Sequence, residues 1–259
     1  VLYRNLVFSQ EHNFSIQGGN PLMSYYISGN YLVQNGMMEF NQDTYDRYNL
    51  TAKINAQITD WMQINYSGRY SREDYGRPSF LRNDLFSNIG RQGWPTLPLY
   101  DPNGYLYSSP SPALDLRDGG RGIWQTDHLN QQLQIVLEPV KDWKTFVDFN
   151  FRTINANCHW DIQKTYNHDV AGNPIPWNNN SHVHEDHRRD NFINWNAYTE
   201  YTKNLPSGHN FKGMLGLQTE LFKRKEFGLQ REGIIVPWLP YMDITSGVDA
   251  YGKVISTSV

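Results

Sequence analysis

The stretch Tyr48-Asn49-Leu50-Thr51-Ala52-Lys53-Ile54-Asn55-Ala56-Gln57-Ile58, continued by Thr59-Asp60-Trp61-Met62-Gln63-Ile64-Asn65-Tyr66-Ser67-Gly68-Arg69-Tyr70-Ser71, decides the fold. In its first half Tyr48, Leu50, Ala52, Ile54, Ala56 and Ile58 alternate with Asn49, Thr51, Lys53, Asn55 and Gln57. In its second half Met62, Ile64, Tyr66, Gly68 and Tyr70 alternate with Gln63, Asn65, Ser67, Arg69 and Ser71. A strand sends successive side chains to opposite faces, whereas a helix repeats its face every 3.6 residues. The stretch therefore reads as two β-strands, about 46–58 and 61–75. Thr59-Asp60 forms the tight turn between them, where Asp can hydrogen-bond its own backbone.

The same period extends outward in both directions. Strands are predicted at about 10–18 and 23–34, joined through Gly18-Gly19-Asn20-Pro21. A third pair is predicted at 126–138 and 143–157, and a fourth at 190–203 and 209–225, which turns at Leu205-Pro206-Ser207-Gly208. Alternation by itself also fits a soluble sandwich with one wet face. Three features favour a transmembrane barrel. The strands are long for a soluble domain, where about 5–6 residues is usual, and suit a tilted membrane strand of roughly 9–11 residues with extensions. Short links near 19–22, 59–60, 139–142 and 204–208 strictly alternate with long ones at 35–45, 76–125 and 159–189 and a tail from 226, as periplasmic turns alternate with extracellular loops. Finally, Asp60-Trp61 and Asp142-Trp143 recur at two short turns, where Trp can anchor at the headgroup level.

Bulk composition agrees. The 259 residues are 14% aromatic, yet mean hydropathy is -0.67. No window approaches the roughly 18 apolar residues of a membrane helix, and an alternating barrel strand does not need one. The net charge of -3 gives no basic face for nucleic acid. Cys158 is the single cysteine and cannot form an internal disulfide. No signal peptide stands at Val1, and the chain reads as an internal segment.

Several segments carry a family resemblance. Gln10-Glu11-His12-Asn13-Phe14-Ser15-Ile16-Gln17-Gly18-Gly19 and Tyr25-Tyr26-Ile27-Ser28-Gly29-Asn30-Tyr31-Leu32-Val33-Gln34-Asn35-Gly36 resemble two successive barrel strands of SusC/RagA-type TonB-dependent transporters. Tyr45-Asp46-Arg47-Tyr48-Asn49-Leu50-Thr51-Ala52-Lys53-Ile54, the turn Thr59 to Met62, and Pro98-Leu99-Tyr100-Asp101-Pro102-Asn103-Gly104 resemble the elements that follow, in the same order. The likeness in motifs covers residues 10–104, and the remainder is similar in architecture. The resemblance implies a barrel of about 22 strands filled by an N-terminal plug. It also implies a SusD-like surface lipoprotein as lid, energy from the TonB complex, and an oligosaccharide or peptide as cargo. Residues 1–259 then read as part of the barrel domain, with plug, TonB-contacting segment and final strand absent. The expectation is an outer-membrane importer and not an enzyme.

Candidate chemistry is sparse. His159, His168, His182, His184 and His187 are placed in one long loop. Their spacing fits no standard zinc signature, so a solvated polar loop is expected, with no metal and no cofactor. Asp101-Pro102-Asn103-Gly104, Asp169-Val170-Ala171-Gly172 and Asp249-Ala250-Tyr251-Gly252 read as hairpin turns and lack a calcium loop's string of oxygen ligands. Adjacent carboxylates, Glu73/Asp74 and Glu185/Asp186, would point oppositely on a strand, which leaves no catalytic pair. Aromatics of the predicted long loops are the ligand or lid candidates: Trp94, Tyr100, Tyr105, Trp124, Trp160, Trp177 and Trp238, with Tyr107 and Tyr241 beside them. Such rings can stack on sugars, anchor a protein interface, or simply pack the loops on one another. Trp61 and Trp143 are the membrane-interface candidates. A soluble β-sandwich carbohydrate-binding module and a glycoside hydrolase domain are the competing readings.

Overall fold

The computed structural model describes residues 2–92, 96, 98–108 and 112–258. Eight long strands form four antiparallel hairpins: β1 (Ser9–Asn20) with β2 (Met23–Asn35), β3 (Thr44–Thr59) with β4 (Met62–Pro78), β5 (Arg121–Val140) with β6 (Trp143–Ile162), and β9 (His182–Asn204) with β10 (Asn210–Glu232). Two short strands, β7 (Thr165–His168) and β8 (Pro174–Asn178), make a separate hairpin between β6 and β9. A last short strand, β11 (Ser256–Ser258), pairs with residues 229–231 of β10. The main sheet runs β1-β2-β3-β4-β5-β6-β9-β10-β11 and does not close on itself. The all-β expectation and all eight predicted strands stand.

Register explains how alternation along each strand becomes two continuous faces. Ile16 lies opposite Ile27, and the row continues through Ala52, Gly68, Gln131, Phe151 and Ile193 to Leu221. The next row is Tyr25, Ile54, Tyr66, Leu133, Phe149, Trp195 and Thr219, and the one after it Met23, Ala56, Ile64, Ile135, Val147, Ala197 and Leu217. Cross-strand ring pairs knit these rows, such as Phe149 and Trp195 with centroids 4.5 Å apart. The opposite face carries polar ladders. Asn49 donates to Asn30, and Asn30 to Asn13. Lower down, Asn65 donates to Gln134, Gln134 to Asp148, and Asn196 also to Asp148.

The apolar rows stay uncovered on the inner strands: Leu50 on β3 is 51% and Trp195 on β9 50% exposed. Among the described residues no second sheet packs on this face, since the only other sheet is the β7-β8 hairpin. The sandwich alternative needs such a layer and is not met. The apolar face also crosses the register obliquely. On β3 it runs from Tyr48 to Ile58, whereas on β10 it runs from Phe211 to Leu221, two rows nearer the short turns. Two rows amount to about 14 Å along a strand, over five strand steps of about 4.8 Å. That incline, about 30°, is close to the strand tilt of a closed barrel.

The short links sit at one end of the sheet at 21–22, 60–61, 141–142 and 205–209, and the long ones at the other. Asp142 takes φ 69 within its two-residue turn, the left-handed backbone a tight hairpin requires. The long-link end departs from expectation in three ways. First, the strands run further, β9 beginning at His182 instead of 190 and β5 at Arg121 instead of 126. Their upper ends continue the period without apolar residues on one face, so the hydropathy signal fades while the ladder persists. Second, the predicted loop 76–125 contains two helices, α1 (Asn83–Gln92) and α2 (Ala113–Asp118). Third, the long links have a core of their own. Met38, Leu81, Leu85 and Leu116 form one buried cluster, and Leu106, Ala113 and Leu114 another, with Leu2 and Phe40 packed against both. Among the described residues no helix is long and apolar enough to cross a membrane.

Candidate ligand-binding site

The upper end of the polar face gathers aromatic side chains. Tyr45, Tyr75, Trp124 and Cys158 follow one another along one register row. Tyr45, Glu73, Tyr75, Trp124 and Thr126 line a cavity of about 410 Å³. The Trp124 ring is fixed from several sides. It lies over Gly122, where a Cβ would come within 2.3 Å of it. Arg77 stacks on it at 4.7 Å, and Tyr75 sits 5.8 Å away. One row higher, Trp160 pairs with Gly122 on one side and His184 on the other. The Trp160 ring lies 4.9 Å from His184 and 5.3 Å from His182. The shelf is thus a wall of rings edged by two carboxylates, Glu73 and Asp186, and by the Arg77 guanidinium. Flat rings beside a few hydrogen-bonding groups suit the faces of sugars or the side chains of a peptide.

The seven ring candidates do not converge. Trp124 and Trp160 meet on the shelf, but on strands β5 and β6 and not in loops as expected, because the strands extend past their apolar segments. Tyr105 stacks on His168 at 3.7 Å. Tyr100 bridges Leu106 across the Asp101 turn. Trp177 lies on β8, within the long link between β6 and β9, and hydrogen-bonds Asp115, whose carboxyl burial pushes up from its usual value against the hydrogen bonds of Trp177 and Thr165. These three rings pack the loops. Trp238, 80% exposed, lines a separate cleft of about 780 Å³ with Ile123, His159, Asp161 and Tyr241. Trp94 lies outside the described residues. Trp61 and Trp143 both stand at the short-turn end, where Trp143 donates from Nε1 to Thr199 at 2.7 Å. Tyr45, Tyr75 and the two histidines were missed as site residues, because only the register brings them beside Trp124 and Trp160.

The histidine cluster is not a loop. His159 lies on β6, His168 on β7, and His182, His184 and His187 on β9. Alternation sends His182 and His184 to the shelf and His187 to the other face, against Phe227. Each ring has its own neighbour: Glu185 for His159, Asp186 for His184, Asn157 for His187. Burial lowers the His182 pKa, opposed by nearby Glu232. Burial likewise pushes the Cys158 thiol up to about 11, with Asp186 and Glu185 adding to it. Among the described residues no three metal-ligating side chains converge. The three Asp-x-x-Gly segments are hairpin turns as expected, with Gly104, Gly172 and Gly252 at φ 85, 84 and 81. In each, Asp Oδ1 accepts the backbone N–H four residues on.

No protein-family model matches the sequence, and no curated protein does. Solved structures do match. The chain is similar to the RagAB peptide transporter with a TM-score of 0.74 and 15% identity, over 97% of this chain and 28% of that one. It is similar to the RagAB peptide importer in its 'closed-closed' state (TM-score 0.73, 14% identity) and in its 'open-open' state (0.70, 15%), with the same coverage. The chain therefore spans 28% of the length of these transporter chains. The likeness carried by the SusC/RagA-type motifs has its counterpart in the fold: this sheet is built like a part of the RagAB transporter.

Proposed function

We propose that the chain forms part of the wall of an outer-membrane importer that is driven through TonB. Its cargo is oligosaccharide or peptide, and a SusD-like surface lipoprotein covers its extracellular mouth. The observation that carries this reading is the inclined apolar face, uncovered and continuous over eight strands, backed by hydrogen-bonded polar ladders. Placed in a bilayer, the apolar rows meet lipid and the ladders line a wet lumen. Trp61 and Trp143 then lie at the periplasmic interface. The long-link end is extracellular, and the shelf of Tyr45, Tyr75, Trp124 and Trp160 faces the mouth of the lumen. Cargo stacks there, while the packed loops with Tyr100, Tyr105 and Trp177 form the platform for the lid. This role is conduction and not catalysis. Fold likeness to a peptide importer supports it and leans toward peptide among the two cargo classes.

The test compares cells lacking the full-length protein with complemented cells, supplied with fluorescent oligosaccharides and peptides. Uptake should require the protein and collapse when the inner-membrane proton gradient is discharged. Equal uptake in both strains, or full-length protein that stays soluble and monodisperse without detergent, sinks the reading.

A further inference from the structure

The register row of Tyr48, at the upper edge of the apolar face on β3, carries opposite chemistry at β4–β5 and at β9–β10. On β4 and β5, Arg72 faces Asp127 and pairs with it at 2.9 Å. On β9 and β10, the same row sets Arg189 directly opposite Lys225. Like charges directly opposite each other on a sheet are unfavourable. One row lower, Lys223 lies opposite Asn191, immediately above Ile193 and Leu221. All three cations are exposed. They share the outward parity of the apolar rows, whereas Arg188 and Arg224 point the other way and share Asp190. On this face of β10 the sequence from 221 to 231 is Leu221, Lys223, Lys225, Phe227, Leu229 and Arg231, without an acid. On β9 the outward acid is Glu185, two rows above Arg189 and hydrogen-bonded to His159. The three charges thus have no protein anion of their own among the described residues.

Their height names the partner. Ile193 and Leu221 mark the upper edge of the apolar face on these two strands. Two further rows rise by roughly 10 Å after tilt, which is the headgroup level of a bilayer whose hydrocarbon ends at that edge. We propose that Arg189, Lys223 and Lys225 form an outward site for the phosphate groups of an anionic lipid of the outer leaflet, with its acyl chains lying along Ile193, Leu217 and Leu221. An external phosphate relieves the Arg189–Lys225 repulsion, which explains how that juxtaposition is tolerated. The proposal rests on the apolar rows facing lipid.

The test titrates fluorescent lipid A, a phosphorylated glycolipid, into the full-length protein in neutral detergent, beside a neutral phosphatidylcholine probe. Lipid A should bind in preference to the neutral probe, and binding should weaken as salt is raised. The Arg189→Gln/Lys223→Gln/Lys225→Gln variant should lose roughly fivefold in affinity per charge removed, about 100-fold in all. Arg189→Lys/Lys223→Arg/Lys225→Arg should retain most of the affinity, which separates loss of charge from loss of fold. Unchanged affinity in the Gln variant overturns the site. Displacement of lipid A by inorganic phosphate at equal concentration also overturns it, since the site would then read a free anion and not a lipid. If the lipid-facing assignment itself is wrong, the failure appears elsewhere, as full-length protein that needs no detergent.

Discussion

The lower and upper halves of the same strands obey one backbone geometry and two different side-chain rules. Between the short turns and the row of Ile16 and Leu221, every strand keeps one face apolar, and among the described residues no second sheet packs on that face. Above that row the face stays apolar on β3 through Leu50 to Tyr48, whereas the row of Tyr48 continues across β4 to β10 as Arg72, Asp127, Asn155, Arg189 and Lys225. There the molecule covers itself, burying Leu106, Leu114 and Leu116 in a core made from the long links. A sheet that buries nothing below and builds its own core above changes solvent along its length. The lower half relies on lipid for what the upper half obtains by packing.

The largest expected effect lies above. Leu116, fully buried among Met38, Leu81 and Leu85, should cost about 2–5 kcal/mol of local stability when cut to Ala. Limited proteolysis of the folded full-length protein in detergent should then cleave residues 79–120 faster while the strands stay protected. Equal protection would mean that the loops do not form an independent core. Below, Ile54 sits near the middle of the apolar face, and Ile54→Arg should cost about 2–4 kcal/mol in refolding into lipid vesicles. Leu50→Arg, nearer the upper edge, should cost about 1 kcal/mol, and Lys53→Gln on the polar face close to none. Three equal costs would erase the distinction between the faces.

Smaller effects sharpen the upper half. Removing the ring in Trp124→Ala should weaken binding of a peptide or oligosaccharide cargo by about 2–13-fold, from about 0.5–1.5 kcal/mol of lost stacking. Tyr100→Ala, in the packed loops, should leave cargo affinity unchanged, and the reverse order would move the site to the loops. Last comes pH. His182 has its folded pKa lowered by burial, so its neutral form is the stabilising one. That contribution is present above the ordinary value of 6.5 and is lost as pH falls through the lowered folded value. Asp115 and Asp161 are raised by burial from 3.8, so their share is present below that value and lost as pH rises through their folded values. The protection of residues 182–184 against hydrogen exchange, corrected for the intrinsic pH dependence of exchange, should therefore fall below pH 6.5 and do so less in His182→Gln.

The same contrast explains what the sequence disclosed. The lower half was legible because each residue there answers to one local rule, apolar out and polar in. Residues such as Leu50, Ile54 and Leu133 report their face by identity alone. In the upper half the ladder continues through Gln125, Asn157, His184 and Gln230, whose side chains are polar on either face, so period two is invisible to hydropathy. The histidines therefore read as loop although they lie on β9. Helices α1 and α2 were hidden for another reason: their apolar residues meet partners at Met38 and Phe40, dozens of positions away. The binding shelf was half legible. Trp124 and Trp160 stand out by type, but Tyr45, Tyr75 and His184 join them only through the register.

The central claim is that one face of the lower sheet meets lipid and the other water. Single cysteines from Asn49 to Asn55, in a full-length protein carrying Cys158→Ser and reconstituted in lipid vesicles, test it most directly. A water-soluble maleimide should label positions 49, 51, 53 and 55, while 50, 52 and 54 stay protected; when 50, 52 and 54 carry a fluorophore attached before reconstitution, a lipid-borne quencher should quench it. Labelling that does not alternate, or that alternates in the opposite sense, would contradict the account.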